Sequence, residues 1–273
     1  VVAAGPRKRL FVERTLPGLP EDTAALALAT FRSLVREPAL KMALIMPIVV
    51  CLLIGGMQMA RLKKAPVESV VGFVMTGVVA FAVFCLAPTM GNMFGLDRNG
   101  FRALVLLPTR RDRVLFAKNL AFLPLMAGVA AALLTLIGFL LRPGLSVWLT
   151  ALVQLPTAFL LFSLMCNLAS ILVPYRMAAG TLQAKKPKPI VFVGGFATML
   201  ATPIILTPIA IPPGLQFLFT RLEWLPWLPV NLIAASVILA AIVALYRVLL
   251  PLEGRLLQSR EQAILREVTE EVE

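Results

Sequence analysis

The chain has 273 residues, 59% of them hydrophobic, with a mean hydropathy of +0.90 and a formal net charge of +12. That composition excludes a soluble globular domain and points to a polytopic membrane protein. The basic residues sit between apolar runs, which membrane topology explains better than phosphate binding, so no nucleic-acid partner is expected.

Histidine is absent, which removes His-based triads, His proton shuttles and most zinc chemistry, and no metal site is expected. Cys51, Cys85 and Cys166 all lie in apolar runs and are odd in number, so no disulfide framework is implied. The chain begins at Val1 and reads as a trimmed chain or as the C-terminal half of a longer one.

Residues 1–41 read as a cytosolic linker followed by an interfacial helix. The linker carries Arg7, Lys8, Arg9 and Arg14 among prolines and glycines. The helix runs from Thr23 to Glu37, capped by Asp22 and ended by Pro38. Ala27, Leu28, Phe31, Leu34 and Val35 share one face, with Arg32, Ser33 and Arg36 opposite. A basic amphipathic helix of this kind lies among lipid headgroups.

Six apolar runs follow within residues 42–250, at 42–60, 69–92, 119–141, 146–173, 190–211 and 224–246. Each approaches the length of about 20 residues that the hydrocarbon core requires. None contains Asp, Glu, Lys or Arg, and in lipid such runs must be helical. Pro47, Pro88, Pro124 and Pro156 are expected to kink spans rather than end them.

Segments 1–41, 93–118, 174–189 and 247–273 carry 7, 6, 4 and 4 of the basic residues. The alternate loops carry 3 (Arg61, Lys63, Lys64), 1 (Arg142) and 1 (Arg221). The positive-inside rule then puts both termini in the cytosol, with the protein multi-pass in the cytoplasmic (inner) membrane.

Between the second and third runs lies the stretch from Asp97 to Leu120. Asp97 is placed to cap a short helix on which Phe101, Leu104 and Val105 share a face, and Pro108 stops it. Thr109 and Asp112 form a start signal for a second helix, which carries Arg113 and Lys118 into the next span.

This stretch resembles the coupling region of ABC-type exporter membrane subunits, in the type-2 ABC permease superfamily. The residues that carry the resemblance are Asp97, Gly100, the aliphatic run 104–107, Pro108, Arg110, Arg111, Val114, Leu115, Ala117 and Lys118. It implies an all-α protein of six spans whose 93–118 loop holds a cytosolic coupling helix seated on a separate ATPase subunit. The contact would involve Asp97, Arg98, Gly100, Phe101, Leu104, Val105, Pro108, Arg110, Arg111 and Lys118. ATP and Mg would then sit on that ATPase and no cofactor on this chain. A second permease half, or a homodimer partner, is implied as well.

The exit of the fourth span, Asn167 through Arg176, resembles the same family. Its physical reading is a helix stop at Pro174, an interfacial anchor at Tyr175, and Arg176, Lys185, Lys186 and Lys188 facing lipid headgroups. Pro203, Pro208, Pro212 and Pro213 break the region before the last span, which reads as re-entrant segments, with Trp224 and Trp227 in the outer aromatic belt. Residues 251–273 read as a cytosolic tail, a solvated helix from Glu253 onward that turns acidic at Glu270, Glu271 and Glu273.

No Walker motif and no intramembrane carboxylate pair occurs, so neither ATP hydrolysis nor intramembrane catalysis is expected of this chain. The uncharged polar residues Asn92, Gln154, Ser163, Asn167 and Thr198 could line a substrate path, although such groups more often hold helices together. The expected function is the permease subunit of an ATP-driven exporter. A non-transporting membrane scaffold or assembly protein is the alternative.

Overall fold

Every regular element among the described residues is helical, as a chain of apolar runs in lipid requires. The computed structural model describes residues 16–61, 68–178, 181, 184, 188–224 and 228–269. Arg7, Lys8, Arg9, Arg14, Lys63, Lys64, Lys185, Lys186, Trp227, Glu270, Glu271 and Glu273 lie outside the described residues. The helices are α1 (Glu21–Arg36), α2 (Pro38–Arg61), α3 (Glu68–Phe84), α4 (Ala87–Met90), α5 (Met93–Asp97) and α6 (Phe101–Leu106). They continue with α7 (Arg111–Leu141), α8 (Leu145–Leu172), α9 (Pro189–Ile205), α10 (Ile211–Arg221) and α11 (Val230–Val268).

Five stretches are long and apolar enough to cross a membrane: Val70–Met90, Arg111–Leu141, Leu145–Leu172, Pro189–Arg221 and Val230–Val268. Where the first of six spans was expected, α2 presents a shorter described apolar stretch, Leu40–Val50. Two boundaries also differ from the hydropathy reading. Helix α7 starts at Arg111, ahead of the apolar run at 119 and close to the restart expected at Thr109–Asp112, and α11 runs unbroken through Pro251 to Val268, joining the last run to the tail helix. A helix does not stop where lipid stops, so a window ended by the first charge cuts it short.

Helix α8 is the centre of the bundle and packs against α3, α7, α9 and α11. Phe159, Phe162 and Met165 of α8 meet a core that includes Val79 and Val83 of α3, Phe122 and Leu133 of α7, and Ile242 of α11. Between α7 and α8 the approach is so close that a Cβ on Gly138 would overlap the Trp148 ring.

Helix α1 begins at Glu21, with Pro20 at its cap, while the Asp22 carboxylate accepts from the Thr23 N–H at 2.7 Å. Its Ala24, Ala27 and Leu34 are buried, and the helix packs on α7 rather than on headgroups alone. Val35, expected on that face, is exposed.

One end of the bundle gathers the charged pairs. Arg113 lies 3.7 Å from Asp22, Arg98 3.6 Å from Glu37 and Lys188 2.6 Å from Glu267, and Arg111 pairs with Glu261. These residues come from the four segments that the count of basic residues had grouped together.

The tail is helical as expected, but it is packed against the bundle rather than solvated from Glu253 onward. Glu253, Gly254, Leu257, Ile264 and Val268 are buried and form one stripe at helical spacing. A Cβ on Gly254 would come within 2.6 Å of the Asp112 backbone nitrogen, so only glycine lets α11 approach the start of α7.

Helix α9 stops at Ile205, a 3-10 turn spans Thr207–Ala210, and α10 follows. Thr202 and Leu206 lie near Phe84 and Ala80, whereas Pro213 meets Gly72. The contacts of this interrupted segment therefore step along α3 from its last turn toward its first.

Candidate functional site

The turn from Asn92 to Lys118 is built as a small internally bonded block. Phe94 and Phe101 meet edge to face with centroids 5.2 Å apart. Lys118, about two turns inside α7, is 1% exposed. Its ammonium sits 2.6 Å from Asp97 Oδ2 and 5.6 Å from the centroid of the Phe94 ring. Burial pushes the Asp97 carboxyl above its usual range, against which Lys118 pulls it back. Asp97 was expected to cap the short helix, but no side-chain cap bond forms and the carboxylate faces Lys118 instead.

Arg111 holds the other side of the block. A six-residue helix leaves its last carbonyls without internal partners, and a guanidinium offers five donors. Arg111 donates to Val105 O at 2.9 Å, Leu104 O and Leu107 O at 3.1 Å, and Thr109 O at 3.2 Å, and also pairs with Glu261 of α11. The expected Thr109–Asp112 start signal is not formed. Arg110 stands at the cap of α7 without a side-chain cap bond, and Asp112 accepts from its side chain at 2.8 and 3.2 Å.

The face expected to meet an ATPase is turned inward. Phe101 is 2% exposed, Leu104 is buried and Val105 half-buried, and all three lie against Val114 of α7 and Leu257 of α11. The chain itself covers this face because the stripe on α11 continues past the apolar run. Facing outward are Arg102, Ala103, Leu106 at 84% exposed, Leu107, Pro108 and Arg110. Gly100 is exposed with an ordinary φ of −63°, and nothing in the structure requires glycine there. Arg98 does adopt an unusual backbone, φ +50° and ψ −127°, while its side chain donates to Ala178 O at 3.1 Å.

The polar residues expected along a path are engaged in separate structural bonds. Asn92 clamps the Tyr175 backbone, donating to its carbonyl at 2.7 Å and accepting from its N–H at 3.2 Å. Asn167 donates to Glu253 at 2.7 Å, and Asn119 donates to the Tyr246 hydroxyl at 2.9 Å. Gln154 bridges Thr76 and the Ile209 carbonyl, whereas Ser163 and Thr198 bond back to Phe159 and Gly194 in their own helices. The amide oxygens of Asn119 and Asn167 are buried without a donor, so a water or a donor group placed there would gain most. The structure does not bring Asn92, Gln154, Asn167 and Thr198 together around one cavity.

Sequence reasoning missed Phe94, Tyr246, Glu253 and Glu261. The available signal was the stripe Tyr246, Leu250, Glu253, Leu257, Glu261, Ile264 and Val268, whose steps of three and four mark one helical face. Among the described residues no group of His, Cys, Asp or Glu could hold a metal ion. Compared with known proteins, the chain matches no family model, no curated protein and no solved structure.

Proposed function

We propose that this chain is the membrane subunit of an ATP-driven exporter of the ABC kind, with a separate ATPase docking on the turn between α3 and α7. The observation that carries the reading is the construction of that turn. It is locked from within by Lys118–Asp97 and by Arg111, yet presents Leu106, Leu107, Arg102 and Arg110 outward. A rigid block with an uncovered apolar tip and basic flanks suits the transmission of a push from a partner. Asp97, Arg111 and Lys118 then position the block, and Leu106 with Leu107 makes the contact that sequence alone assigned to Phe101 and Leu104.

Six spans fit this reading. Glu37, beside Arg98, is at the end that gathers the charged pairs, whereas Gly72, early in α3, is near the other end. The chain must cross between them, and the 24 residues of α2 supply roughly 36 Å of helix at 1.5 Å per residue. The charged end is the cytosolic one in an inner-membrane, multi-pass arrangement, by the excess of basic residues. ATP and Mg belong to the ATPase, and a second copy or a second permease half completes the path. The prolines at 208, 212 and 213 shape the outer part of the fifth span, with the re-entrant form one version of it.

Co-purification with the ATPase tests the proposal. Leu106→Asp puts a charge into an apolar contact and should abolish ATPase binding and transport while leaving the thermal transition within about 1 °C, as for an exposed site. Wild-type ATPase binding by that variant would show that the 106–107 tip is not the contact, and failure of any ATPase to co-purify with the starting chain would favour the membrane-scaffold reading.

A further inference from the structure

Helix geometry asks the carbonyl of Ile209 to accept from the N–H of residue 212 in a 3-10 turn, or of residue 213 in an α-helix. Both residues are proline and have no hydrogen to give. The Gln154 side chain makes good the loss, donating Nε2 to Ile209 O at 2.8 Å. Its Oε1 accepts from the Thr76 hydroxyl at 2.9 Å. Gln154, Thr76 and Ile209 are all buried. A carbonyl can only accept, so the amide nitrogen must face Ile209 and the orientation of Gln154 is fixed.

The two arms leaving this turn are held differently. The only buried residue of α9 is Thr202, one turn before the break. Along the α8 side of α9 runs a groove of about 470 Å³ lined by residues such as Phe84, Pro88, Met165, Val173 and Thr198. Helix α10 instead packs on α11 and α3, with Pro212 and Pro213 buried and Gln216 Oε1 accepting from the Asn231 N–H at 3.3 Å.

We propose that Gln154 is the pin of a pivot: it fixes the turn 206–210 to α3 and α8, so that α9 swings into and out of the groove while α10 stays on α11. Proline at 213 makes the hinge by deleting a backbone bond, and Gln154 keeps the hinge from drifting. Gln154 is thus a positioning residue. The pivot stands whether or not an ATPase drives it.

The test is a double-mutant cycle read by spin-label distances in a chain whose cysteines have been replaced. One label pair joins positions 192 and 168 (α9 to α8), and the other joins 218 and 237 (α10 to α11). In the starting chain the first distribution should be the broader. Gln154→Leu should widen the second by about twofold and lower the thermal transition, and adding Pro213→Ala should reverse most of both changes, because Ile209 O regains a helical donor. A merely space-filling role for Gln154 would show no such rescue. If Gln154→Leu does not fold, Thr76→Val removes only the orienting hydroxyl and should widen the second distribution less. Equal widths for the two pairs in the starting chain, an unchanged second distribution in Gln154→Leu or Thr76→Val, or no rescue by Pro213→Ala would each overturn the pivot.

Discussion

Helix α8 and the stretch Pro189–Arg221 have nearly the same hydropathy, 1.9 and 2.0, yet 67% of the first window is buried and 11% of the second. Apolar character therefore says that both belong in lipid and nothing about which one lies inside the bundle. The difference is in the polar residues. Helix α8 buries Thr150, Gln154, Thr157, Ser163, Asn167 and Ser170, whereas α9 buries only Thr202. In a membrane, apolar contact between helices has no hydrophobic drive, because lipid tails are equally apolar. Side-chain hydrogen bonds and close packing therefore decide which helix is central. Gln154 to Ile209, Asn167 to Glu253 and Ser170 to Phe94 each tie α8 to a different neighbour.

The largest expected effect concerns the charged pair beside this core. Lys118→Met leaves Asp97 facing a buried site with no cation, which should cost about 3 kcal/mol or more in a denaturant titration. Adding Asp97→Asn should recover much of that loss, since an apolar or neutral pair of similar shape is often tolerated. A single mutant as stable as wild type would mean that polar contacts do not organise the protein-facing helices.

Next comes packing. Phe162→Ala on α8 removes a fully buried ring and should cost about 2 kcal/mol from the cavity alone, at roughly 24 cal/mol per Å³, because lipid is as apolar a reference for the ring as the core. Phe196→Ala on α9, at an exposed position, should stay within about 0.5 kcal/mol. Equal losses would show α9 to be covered in the working protein. The smallest pair tests hydrogen bonding alone. Asn167→Leu deprives Glu253 of its donor and should cost about 1–2 kcal/mol, whereas Thr198→Val loses only a bond within its own helix and should cost about a third of that or less. Thermal unfolding in one lipid composition reads both.

Much of the helical layout was legible in the sequence. The runs 119–141 and 146–173 lie within or nearly coincide with α7 and α8, Pro108 does separate α6 from α7, and the segment before α11 is interrupted around Pro208, although Pro203 lies inside α9. What escaped was the packing of helices beyond their apolar parts. Lys118 and Glu253 were expected on helices but outside the apolar runs and in solvent's reach, yet both are buried. Phe101 and Leu104 formed an apolar face that membrane burial did not need, and the missing cover was the stripe on α11 more than 150 residues later. The polar path failed for a different reason. Residue type alone does not reveal whether an amide meets a cavity or a backbone carbonyl, and Asn92 and Gln154 meet carbonyls.

The bond between Arg111 and Glu261 also sets an order of events in synthesis. A membrane chain is delivered from its N-terminal side, and its early helices can enter the bilayer while the later ones are still unmade. The block around Phe101 is then incomplete, because Leu257 and Glu261, which cover and clasp it, arrive only with the far end of α11. Until that moment the apolar face of Phe101, Leu104 and Val105 lacks its cover from α11. A chain stopped before Leu257 would leave that face uncovered, so the far end of α11 is what closes the block.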